Sequence, residues 1–228
     1  RVFDILSGKQ LQVLSGHTSL MRSAKFSRDG QHLVTTSFDD TARVWDVGSG
    51  KVLATFKGHT FPPNDAVFTA DGSKVISAGQ DGTVRMWNAS NGQQLASTRK
   101  IASAMRAIFL SPDLQRIAVV SGDHSVHILD ASTLTEMADL RVRSMAPETR
   151  GLFGDGEVTW SRDGTHLLIW FADSLPVVWS VPWLGSNDGL FGRICSEVLS
   201  PEGMQFTEEE LADPILRDHN AIGSYATP

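Results

Sequence analysis

The residues best suited to chemistry are a hydroxyl, an imidazole and a carboxylate that recur together. His17, Ser37 and Asp39 have the types of a nucleophilic triad, in which an imidazole takes the hydroxyl proton and a carboxylate orients the imidazole. The same types return as His59, Ser77 and Asp81. Recurrence argues against catalysis. An active site has no reason to appear once per repeat, whereas a buried staple does, because each buried carboxylate needs partners and His and Trp N–H groups supply them. The other candidates are thinner. His124-x-x-His127 is the one close histidine pair, but strand residues three apart point to opposite faces, and no cysteine or dense carboxylate cluster accompanies them as a metal would require. Paired acids such as Asp39-Asp40 fall in turns and make no case for glycoside hydrolysis. The sequence has no phosphate-cradling loop, dinucleotide fingerprint or nucleophile elbow. No enzyme, cofactor or metal is expected.

What must position these residues is a repeat. Gly16-His17, then Phe26-Ser27-Arg28-Asp29-Gly30, then Ser37-Phe38-Asp39-Asp40 and Arg43-Val44-Trp45-Asp46 are matched 42 residues later. There stand Gly58-His59, Phe68-Thr69-Ala70-Asp71-Gly72, Asp81-Gly82 and Arg85-Met86-Trp87-Asn88. A third copy keeps Asp113, Asp123 and Asp130 at the same step but has Ile101 for the His and Leu129 for the Trp, so it is expected to rely on packing alone. A fourth has Trp160-Ser161-Arg162-Asp163-Gly164, Asp173 and Trp179, displaced by an eight-residue insertion. Arg1-Val2-Phe3-Asp4 matches Arg43-Val44-Trp45-Asp46 and reads as the third strand of a preceding copy. Short β-rich runs such as His32–Thr36 and Lys74–Ser77, bounded by Asp-Gly pairs, predict strands and tight turns.

A Gly-His, Asp, Trp-Asp pattern at this period resembles the WD40 family. The resemblance covers roughly residues 1–183. It implies an all-β fold of four-stranded propeller blades, about four complete blades plus a partial one in an incomplete ring. The partial blade would occupy 1–12 and the others about 13–55, 56–98, 99–138 and 139–183. It also implies the membership of the staple: His17, Asp39, Trp45 and either Ser37 or Thr35, then His59, Asp81, Trp87 and Ser77. After Trp183 the pattern stops. Thr207-Glu208-Glu209-Glu210-Leu211 predicts a capped short helix over about 207–213, ended by Pro214. The stretch 184–228 resembles the tail that follows WD40 arrays in bacterial multidomain signalling proteins with a STAND-type NTPase.

Composition sets the class of partner. The chain has 228 residues, 41% hydrophobic and 20% charged, and no run of apolar residues long enough to span a membrane. From Ser196 on, seven acids face one base, Arg217, which leaves the remainder neutral. Neither nucleic acid nor an anionic membrane is expected to bind. One cysteine, Cys195, suits a reducing compartment such as the cytoplasm. In the WD40 topology the loops before strand one and between strands two and three share the top end of the blades. Those loops carry apolar residues: Leu20, Met21, Phe38, Phe61, Pro62, Met105 and, in the insertion, Phe153. Exposed aromatics and methionines in one patch mark a protein interface. The expectation is a protein-interaction or sensing module of a larger regulatory protein, docking a partner or another domain of the same protein at that end. The alternative is a scaffold that self-associates through open blade edges, since an arc lacking about 100 residues of a seven-blade ring leaves strand edges unpaired.

Overall fold

The computed structural model describes residues 1–141, 157–170 and 176–180. These form five antiparallel sheets in chain order. The first has two strands, β1 (Val2–Phe3) and β2 (Gln10–Gln12). The second has β3 (Met21–Phe26), β4 (His32–Ser37), β5 (Ala42–Asp46) and β6 (Val52–Phe56). The third has β7 (Pro63–Phe68), β8 (Lys74–Gly79), β9 (Val84–Asn88) and β10 (Gln94–Ser97). The fourth has β11 (Met105–Leu110), β12 (Arg116–Ser121), β13 (Ser125–Asp130) and β14 (Glu136–Arg141). The fifth has β15 (Glu157–Trp160), β16 (His166–Trp170) and β17 (Val177–Ser180). Among the described residues three sheets have four strands each and the last has three; the residues that follow β17 in the fourth expected blade lie outside them. The expected helix at 207–213 and the whole tail lie outside those residues. No helix among them is long and apolar enough to cross a membrane.

Each complete sheet is a meander whose turns are set by the repeated acids. At the β3–β4 turn Ser27 Oγ donates to Asp29 Oδ1 at 2.5 Å, Gln31 N–H donates to the same oxygen, and His32 N–H donates to Ser27 Oγ at 2.9 Å. Thr69 with Asp71, Ser111 with Asp113 and Ser161 with Asp163 rebuild the turn three more times. Its last residue takes φ near +70° at Gly30, Gly72 and Gly164, which glycine adopts without strain. The fourth sheet departs from this. Leu114 (φ 59°), His124 (φ 66°) and Leu134 (φ 61°) fill its positive-φ turn positions, where the neighbouring copies have Gly72, Gly82 and Gly92.

The sheets stack face to face, so both faces of a strand are buried and adjacent residues enter different cores. On β8, Val75 packs with Val34, Val44, Phe56 and Trp87 between the second and third sheets. Ile76 joins Met86, Met105, Ile108 and Ile117 between the third and fourth. On β12, Ala118 and Val120 face Val158, Trp160, Leu167 and Ile169 of the fifth. Phe56 stacks on Trp87 at 5.5 Å between centroids, joining two sheets through one aromatic pair.

Candidate functional site

The triad-like residues do converge, inside the sheets. In the third sheet Trp87 Nε1 donates to Ser77 Oγ at 2.8 Å, and Ser77 Oγ lies 2.8 Å from His59 Nε2. The ionised Asp81 can only accept, so His59 Nδ1 donates to it at 3.0 Å, and Nε2 of the neutral ring accepts the Ser77 hydroxyl proton. Asp81 also accepts from the N–H groups of Thr60 and Thr83 and from Thr83 Oγ1 at 2.7 Å. Burial raises the Asp81 pKa, but these donors outweigh it and hold the carboxyl below its usual range. Burial pushes His59 down, against the pull of Asp81, in keeping with a neutral ring.

The second sheet repeats the network. His17 Nδ1 donates to Asp39 Oδ2 at 2.8 Å, and Thr35 Oγ1 lies 2.8 Å from both His17 Nε2 and Trp45 Nε1. Of the two hydroxyls the sequence left open, Thr35 is the member; Ser37 Oγ instead donates to the Ser19 carbonyl. Thr35 and Ser77 are fully buried, so no substrate reaches a nucleophile. A Cβ at Gly79 would run into His59 Nδ1, although the equivalent position in the second sheet is Ser37, beside the matching network of His17.

The third copy has exchanged the network as a unit. Ile101, Val119 and Leu129 stand 42 residues beyond His59, Ser77 and Trp87, and all three join one apolar cluster. The copy does rely on packing there, yet no donor is orphaned, because both ends of each hydrogen bond became apolar together. Its buried polar group sits elsewhere. His127 Nδ1 lies 2.8 Å from Glu136 Oε1, and His127 Nε2 lies 2.9 Å from Ser125 Oγ. The Ser125 hydroxyl donates to Asp123, so it is not activated as a nucleophile. His124 occupies the preceding turn, away from this network, and no three metal-ligating residues cluster among the described residues.

In the fourth copy Ile169 takes the hydroxyl position, two residues past Leu167, which pairs with Trp179 as Leu33 pairs with Trp45. Among the described residues the buried Trp179 Nε1 accordingly has no hydrogen-bond partner.

The exposed surface that could hold a partner lies at the strand ends where Met21 pairs with Ser37, Pro63 with Gly79 and Met105 with Ser121. At this top end Leu20 is 75% exposed and Phe61 59%, with Met21 and Phe38 also exposed and Pro62 half-buried. Met105 was expected among them and does not belong. It is fully buried in the core between the third and fourth sheets, covered on both sides as its counterpart Met21 is not. Phe153 lies outside the described residues. The exposed groups form one connected surface. Phe38 N–H donates to the Leu20 carbonyl, the Arg22 guanidinium lies 4.9 Å above the Phe38 ring, and Arg22 Nε donates to Asn64 Oδ1 at 3.1 Å. The same oxygen accepts from Gln80 Nε2, and Gln80 N–H donates to the Pro62 carbonyl next to Phe61.

Asn64 and the adjacent Asp65 were not singled out from sequence. Asn64 Nδ2 donates to the Met105 carbonyl at 2.6 Å. Asp65 accepts from Lys25 Nζ at 2.6 Å and from Ile108 N–H at 2.8 Å, and Lys25 Nζ reaches on to the Ile108 carbonyl. Two buried residues of β7 thus bolt three sheets together. Their only signal is a departure from the repeat, since Ser23 and Ala107 occupy the positions equivalent to Asp65.

Comparison with known families agrees with this geometry. The family described as WD domain, G-beta repeat, matches residues 8–46 and 50–88, which hold the two intact networks. No curated protein matches the chain.

Proposed function

We propose that the chain, whose residues 8–46 and 50–88 match the WD40 repeat family, is a protein-docking module of a larger regulatory or signalling protein. It is a non-enzymatic scaffold: its Ser/Thr–His–Asp sets serve as internal staples. The observation that carries the docking reading is that Leu20, Met21, Phe38 and Phe61 are all exposed at one end of two adjacent sheets, around the hydrogen-bonded set of Arg22, Asn64 and Gln80. Side chains of this kind lose nothing by exposure only if a partner covers them. A multidomain signalling protein of the STAND type, and a cytoplasmic setting, are the context in which such a module fits.

The test is site-specific photocrosslinking. A benzophenone side chain at Phe61, at the top end, is expected to give discrete adducts in cells that an equivalent probe at Asp71, at the opposite end, does not. Equal labelling from both positions refutes top-end docking.

A second reading is self-association, favoured by exposed Phe3, Leu11 and Val13 on and beside the two-stranded first sheet. Light scattering decides it, since a monomer at high concentration excludes it.

A further inference from the structure

Resting on the docking reading, the geometry points to a specific partner chemistry: we propose that the top end takes an acidic polypeptide segment with apolar anchors, and that Arg22 receives its carboxylate. Arg22 is held before any partner arrives. Its Nε donates to Asn64 Oδ1 and its Cζ lies 4.9 Å from the Phe38 ring centroid, which holds the guanidinium in place while the residue stays exposed. Among the described residues no carboxylate lies within ion-pair distance of it. Arg43 and Arg85, on β5 and β9, by contrast each lie within 4.0 Å of the Asp in their own network.

A guanidinium already immobilised and uncompensated loses little entropy on binding a carboxylate, and its paired N–H groups match the two oxygens. Leu20, Met21 and Phe61 stand exposed around it to take apolar side chains. Lys57 and Lys100 are exposed in the loops of this end, and Lys100 lies against the Asp81–Gly82 turn, so cations stand there beside the acids of the β4–β5 and β8–β9 turns, Asp39, Asp40 and Asp81.

The test is a fluorescence anisotropy titration of the full chain with two labelled peptides. One alternates Glu with Leu and carries a single Trp; the other has Gln at every Glu. The acidic peptide is expected to bind about tenfold tighter, with the difference shrinking as salt rises. Arg22→Gln, shown to be folded by an unchanged melting profile, removes that difference. Arg22→Lys keeps part of it, and Arg28→Gln at the opposite end keeps all of it. Equal binding of the two peptides overturns the proposal, as does an effect of Arg28→Gln as large as that of Arg22→Gln. So does a requirement for phosphoserine in place of Glu. If the peptides bind equally but Phe38→Ser and Phe61→Ser abolish binding, the docking reading stands and the acidic specificity falls. If those variants also change nothing, both fall.

Discussion

His59 Nδ1 donates to Asp81 at 3.0 Å, and that bond sets the direction of the other protons in the network. It fixes the histidine tautomer, makes Nε2 the acceptor of the Ser77 proton, and leaves Ser77 Oγ to accept the Trp87 indole N–H at 2.8 Å. A Ser–His–Asp set becomes inert by having its hydroxyl proton already assigned inside a sealed sheet.

The exchange of this network in the third copy predicts strong non-additivity. Ser77→Val, His59→Ile and Trp87→Leu each leave a buried partner unsatisfied and are expected to cost about 1–3 kcal/mol. The triple variant, which copies Val119, Ile101 and Leu129, should cost clearly less than the three single losses combined. Urea unfolding of the four proteins measures this. Simple additivity would mean that the apolar triplet works only in its own sheet.

Acid should destabilise the protein in two stages. His59 is held below its ordinary value of 6.5, so the unfolded chain binds the extra proton first. Its contribution is complete above pH 6.5 and is lost as pH falls through the lower folded value. Asp81 is held below 3.8, so its contribution persists above that pH and disappears as pH falls further. Melting temperature measured against pH should begin to drop below pH 6.5, and His59→Gln should flatten that first stage. A melting temperature constant between pH 7 and 5 contradicts the neutral, buried histidine.

Turn glycines are not equivalent. A Cβ at Gly82 would collide with the Ala102 carbonyl oxygen, whereas at Gly72 it would meet nothing within 4 Å. Gly72→Ala should cost only the positive-φ penalty of about 1 kcal/mol, while Gly82→Ala must also displace the loop before β11 and cost more. Calorimetry of both variants separates the two effects. Equal losses would show that this loop yields.

Leu114 presents the reverse case. A leucine at φ 59° carries strain of about 1–2 kcal/mol. Leu114→Gly removes that strain and adds chain entropy of similar size, so stability should hold or rise slightly. A fall of more than about 1 kcal/mol in denaturant unfolding would mean that the half-buried side chain contributes more than its backbone costs.

Trp179 and Trp87 should respond differently to loss of their indole N–H. Trp87→Phe breaks the bond to Ser77, but Trp179→Phe removes a donor that has no acceptor among the described residues. The second substitution is expected to cost less by about 1 kcal/mol or more, read from chemical denaturation. The opposite order would require an acceptor for Trp179.

The repeated features could be read from residue types because each is local chemistry at a fixed step: the Asp of each turn, the His and Trp of each staple. Where two hydroxyls share a face, as Thr35 and Ser37 do, only the reach of the His17 ring chooses between them. Burial at strand ends was not readable. Met21 and Met105 occupy the same place in their copies, and what differs is the sheet packed beside them. Asp65 was invisible for the opposite reason: its partners Lys25 and Ile108 come from two other copies, and a pattern search rewards sameness rather than exceptions.

The copies are consequently not interchangeable in order. Asp65 needs Lys25 on the preceding sheet, and in the second and third copies Val67 and Phe109 stand where that lysine would be. Inserting a duplicate of the second copy directly after itself would bring a buried carboxylate against a valine, at a cost of several kcal/mol. The first-to-second junction is thus a fixed word order in this chain: a duplication there breaks the Lys25–Asp65 pair.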